Sequence, residues 1–110
     1  MWEFERFGMT NTEFKVQMED RTVDFAAAVM NVLVLIPANP VTKTIIWQLS
    51  KSAASIGANY SEANHSESRD DFIHKLAIVV KETCETIFWL RLIAKLEFIS
   101  VEQRKEFLAL

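Results

Sequence analysis

Residues 40–64 read PVTKTIIWQLSKSAASIGANYSEAN. Ile46, Leu49, Ala53, Ile56, Tyr60 and Ala63 recur three and four apart, which sets them on one side of an α-helix. A second seam runs through Ser52, Ser55, Asn59, Glu62 and Ser66, roughly 110° round that helix at about 100° per residue. In the middle of the stretch stands Gly57, a residue that costs about 1 kcal/mol relative to alanine in a helix interior. Its neighbours Ala53, Ala54 and Ala58 are small as well, so the glycine points to close approach of another backbone. Two packing surfaces meet on this helix. Asn39 is suited to cap it, and Pro40 fits the first helical position, where its missing N–H costs nothing.

Working outward, the residues from Met18 also follow helical spacing: Met18, Thr22, Phe25, Val29, Val32 and Ile36 share a face, and Pro37 is expected to end that helix. Residues 1–15 show no clear periodicity and are expected to form an irregular extension, with 16–110 as the bundle and Met9 as a second start site. On the other side, Ser68 is placed to cap a third helix over about 69–96, with Asp70 and Asp71 against its positive end. Its core stripe is expected at Phe72, Leu76, Val79, Val80, Thr83, Ile87, Leu90 and Ala94. The opposite face holds Asp71, His74, Ile78, Glu82, Glu85, Trp89 and Leu92, too much apolar surface to leave in water without a reason. Ser100 and Gln103 make a capping-box pattern, so a fourth helix begins near Val101 and, being short, looks truncated.

The fold class that follows is all-α, an up-down-up-down antiparallel four-helix bundle with a short last helix. Only two glycines and two prolines in 110 residues agree with this. The third helix is apolar on both sides and the second has an apolar and a small-polar side, more than one interior can absorb, so the chain is expected to be a homo-oligomer. Ser55, Gly57, Asn59, Glu62, Phe72, Ile78, Glu82, Glu85, Trp89 and Leu92 are the expected packing or assembly residues, with the polar seam hydrogen-bonding to Glu82 and Glu85.

Composition narrows the function. No apolar run reaches the roughly 20 residues of a membrane span, and the start MWEFERFGMT lacks the pattern of a signal peptide, so a cytoplasmic protein without membrane contact is expected. One cysteine, Cys84, excludes an internal disulfide and reads as a small packed residue. Glu62-x-x-His65 and Asp71-x-x-His74 resemble half of a di-iron ligand set, but no matching carboxylates appear on the core faces of the first or last helix. No metal, cofactor or enzymatic role is expected. A net charge of -3 gives no general attraction to nucleic acid, leaving Lys51, Arg69, Lys75, Lys81 and Arg91 as the residues an RNA or DNA partner would use. A partner protein is the other class, with Phe88 and Trp89 as anchors.

RTVDFA, QLSKSAASIGANYSEA and SRDDFIHKLAIVVKETCETIFWLRL together resemble the four-helix-bundle family that includes the bacterial proteins encoded in 23S ribosomal RNA intervening sequences. The resemblance runs from about Asp20 to Leu96. It implies a cytoplasmic bundle that assembles as a ring, commonly a pentamer, with no defined activity for most members. A relative, the accessory variability determinant of diversity-generating retroelements, binds nucleic acid and partners a reverse transcriptase. Ser55, Asn59, Glu62, Phe72, Glu82, Glu85 and Trp89 match the family's recurrent positions. This chain departs from the nucleic-acid-binding relatives in being acidic, and from the family in its short last helix.

Overall fold

The computed structural model describes residues 8–97 and 99–110. Four helices account for most of them: α1 (Asn11–Leu33), α2 (Pro40–Asn64), α3 (Arg69–Lys95) and α4 (Val101–Leu108). Each begins at a side-chain cap. Asn39 Oδ1 accepts from the Val41 and Thr42 amides at 2.9 and 3.0 Å, Ser68 Oγ accepts from Asp71 N, and Ser100 forms a reciprocal box with Gln103. The second, third and fourth helices start where their caps predict.

The first helix differs at both ends. It starts at Asn11, so residues 11–15 are helical, where an irregular segment was expected; residues 1–7 lie outside the described part. Thr10 and Glu13 form a capping box that precedes the apolar periodicity. The helix ends at Leu33, before Pro37 is reached. Its final turn tightens into bonds from Leu35 N to Val32 O and Ile36 N to Leu33 O, both 3.1 Å, as suits a residue that must leave the α region ahead of proline.

The helices alternate in direction, and α2 is the middle one. It packs against α1 on one side and, most extensively, against α3 on the other, while the backbones of α1 and α3 nowhere approach closely. In a complete bundle α4 would fill the groove between α1 and α3. Its 8 residues extend only about 12 Å, so it closes one end alone. There Val29, Leu33 and Ile36 meet Ile45, Leu49, Ala53, Ile93, Ile99 and Phe107 in one buried cluster. Gln103 Nε2 donates to Leu35 O at 3.0 Å and Arg104 to Leu96 O, fixing α4 across that end. Met18, Phe25, Ile56, Thr83, Leu90 and the inner edge of Ile87 line a hollow of about 510 Å³.

Candidate functional site

The two surfaces of α2 have different chemistry. Towards α1, a Cβ added at Gly57 would lie 2.8 Å from Thr22 Oγ1, 3.1 Å from its Cβ and 3.5 Å from its carbonyl carbon. Gly57 therefore marks the close backbone approach expected of it. Nearby, Asn64 Nδ2 donates to Glu19 Oε1 at 2.9 Å. Towards α3, Ser52 Oγ is buried 2.9 Å from Thr86 Oγ1, which also lies 2.8 Å from the Glu82 carbonyl. At the exposed end of the same side, Lys75 Nζ pairs with Glu62 at 2.8 Å, and this partner raises the lysine pKa, first through the hydrogen bond and then through charge.

The polar seam thus faces α3 of its own chain, but with different partners from those expected. Ser52 meets Thr86 and Glu62 meets Lys75, in place of Glu82 and Glu85. Ser55, Asn59 and Ser66 turn back onto the carbonyls of Lys51, Ser55 and Ala63 in their own helix. Glu85 Oε1 accepts from Trp89 Nε1 one turn along, at 3.4 Å.

A larger correction concerns the rotation of α3. Thr86 and Ile93 are its buried residues, and Trp89, Leu90 and Leu92 are half-buried against the core. Val80 and Ile87, expected inside, are 62% and 50% exposed. The helix is turned by roughly 80° relative to the expected stripe, at about 100° per residue. Small residues on α2 explain the turn: Ser52 and Ala53 let α3 come close, and a threonine with a hydroxyl to pair fits there better than a larger side chain. Phe72 and Ile78 are half-buried. Of the two anchors, Trp89 packs edge-on to Phe88, with ring centres 5.0 Å apart, and Phe88 is the one left open, at 57% exposure.

The unpartnered apolar surface consequently lies elsewhere than the sequence placed it. On α3 it is Ile73, Ala77, Val80, Cys84, Ile87 and Phe88, all exposed. Cys84, Ile87, Phe88, Arg91, Leu92 and Lys95 enclose a shallow hollow of about 370 Å³. On α1 and its C-cap it is Val16, Val23, Ala27, Met30 and Val34, with Val23 at 64% and Val34 at 79% exposure. The α1 surface escaped the sequence reading, although Val16, Val23 and Met30 repeat every seventh residue and carry a legible signal.

Chemistry is sparse by comparison. Among the described residues no three of His, Cys, Asp and Glu gather where a metal would sit. Glu62 is taken up by Lys75, His65 Nδ1 lies 2.9 Å from the Ser61 carbonyl, and His74 is exposed. Of the basic residues, Lys51, Arg69, Lys81 and Arg91 are exposed and Lys75 is paired. No described helix is long and apolar enough to cross a membrane.

The profile of the 23S rRNA-intervening sequence protein family matches residues 15–110. The chain belongs to this family. A crystal structure of a protein of unknown function from the S23 ribosomal protein family of Bacteroides thetaiotaomicron is similar to it, with 35% identity and a TM-score of 0.70. The likeness covers 84% of this chain and 83% of that one. No curated protein matches. Family membership accounts for the all-helical architecture and brings no assigned activity with it.

Proposed function

We propose that this family member is a non-enzymatic module that self-associates into a homo-oligomer and serves as an assembly or adaptor unit in the cytoplasm. The observation that carries this reading is the exposed apolar surface on two helices, including Val34, Val23, Val80 and Phe88. Contiguous apolar stripes of this kind mark interaction sites in soluble proteins. A second copy of the chain satisfies both stripes at once in a closed assembly, the ring that the family resemblance suggests. The free, exposed thiol of Cys84 suits a reducing compartment.

Light scattering on the purified chain, coupled to size separation, tests the reading. A mass several times 12.7 kDa is expected at micromolar concentration, falling on dilution. A constant mass of one chain contradicts it.

A second reading, nucleic-acid binding, draws on the exposed Arg69, Lys81, Arg91 and Lys95 along α3 and on a family named for 23S rRNA. Lys51 stands apart on α2, and Lys75 is engaged by Glu62. Binding through these charges would weaken steeply with salt, and its absence from low-salt mobility-shift assays ends this reading.

A further inference from the structure

The exposed seams on α1 and α3 are matched in spacing and complementary in charge. Val16, Val23 and Met30 recur every seventh residue on one helix, and Ile73, Val80 and Ile87 do so on the other. At about 100° per residue, each seam lies roughly 100–140° round its helix from the buried Val29 or Thr86. The two helices run parallel, on either side of α2. Thr22 and Phe25 face Thr83 and Thr86 across the open groove, and Leu33 shares the buried cluster with Ile93. Asp20 therefore stands level with Lys81. Glu13, Asp20 and Asp24 border the α1 seam, with Lys15 also beside it, whereas Arg69, Lys81, Arg91 and Lys95 border the α3 seam, with Asp70 also beside it, so the first border is acidic on balance and the second basic.

We propose that the outer face of α1 in one copy docks along the outer face of α3 in the next, the two helices running parallel at the same height. This rests on the self-association reading. The contact is heterologous, because each copy offers two different faces. It closes into a ring if the rotation between copies closes, and otherwise grows as a filament. Pairing α3 with α3 would set Lys81, Arg91 and Lys95 against their own kind, and pairing α1 with α1 would oppose the acidic borders. Charge thus selects the unlike pair. At that height Val16, Val23 and Ala27 stand level with Ala77, Cys84 and Phe88, so a larger side chain on one helix meets a small one on the other.

Blocking one face at a time gives the test. One variant carries Val23→Lys and Met30→Lys, the other Val80→Glu and Ile87→Glu, each setting like charge against the facing border; all four positions are exposed, so each variant should keep its helical circular dichroism. Each alone is expected to weaken assembly by at least about a hundredfold and to run at the mass of one chain. Mixed in equal amounts, they are expected to form a pair of twice 12.7 kDa and nothing larger, because one intact α1 face meets one intact α3 face. A mixture that stays at one chain where the wild type assembles overturns the docking while leaving self-association intact. Wild-type mass retained by either variant does the same. A single-chain mass for the wild type itself removes both ideas. As a gentler check, Asp20→Lys and Lys81→Asp should each weaken assembly about tenfold and together in one chain restore it. Failure of the double variant to recover contradicts the pairing.

Discussion

Gly57→Glu is expected to lower stability by more than about 3 kcal/mol, enough to remove the cooperative transition from a domain of this size. The first side-chain carbon alone would stand 2.8 Å from Thr22 Oγ1 and 3.1 Å from Thr22 Cβ. Thr22 has little room to yield, since it is β-branched and its hydroxyl donates to the Glu19 carbonyl at 2.8 Å. A carboxylate would also lose hydration between the two helices. Gly57→Ala separates sterics from charge. Helix propensity favours alanine by about 1 kcal/mol, but overpacking of one methyl in a tight contact costs about 1–3 kcal/mol. A net loss is expected by urea denaturation, and Thr22→Ala should relieve part of it by removing the nearest atom. A Gly57→Ala protein more stable than wild type would show that α1 and α2 do not meet closely here.

The second large effect belongs to Leu49. It is 0% exposed and sits in the cluster where α1, α2, α3 and α4 converge. Leu49→Ala should cost about 2–5 kcal/mol, the transfer term plus the cavity left behind. At about 4 °C per kcal/mol for a domain of this length, the melting midpoint should fall by roughly 10 °C or more. Trp47, two residues earlier and 65% exposed, is the control. Trp47→Ala should move the midpoint little, although the residue removed is larger. Both need a fixed protein concentration, because a self-associating chain melts at a temperature that depends on it. Equal effects at the two positions would mean that α2 is rotated from the orientation described.

Much of this architecture can be read in the residues. Asn39 with Pro40, Ser68 with Asp70 and Asp71, and Ser100 with Gln103 are local signals, and a helix start depends mainly on local hydrogen bonds. The close approach at Gly57 was legible for the same reason: a glycine among alanines in a helix has few other uses. The start of α1 was missed because Thr10 and Glu13 precede any apolar repeat. The rotation of α3 was missed for a deeper reason. Apolar residues surround most of that helix, so periodicity gives two comparable faces, and which of them turns inward depends on the partner helix. Ser52 and Ala53 accept the small, hydroxyl-bearing Thr86, and a scale that ranks residues by hydrophobicity does not choose threonine as a core centre. The resulting turn exposes Val80 and Ile87 and tucks Trp89 against the core.

The reactivity of Cys84 speaks most directly to the claim that sister molecules cover the outer face of α3. It is the chain's single thiol, it is exposed in one copy, and it lies in the seam between Val80 and Ile87. Maleimide labelling followed over a dilution series should be slow in concentrated protein and approach the rate of a free thiol as the chains separate. A rate that is fast and unchanged from the most concentrated sample to the most dilute would show that face open throughout, and the claim that sister molecules cover it would be wrong.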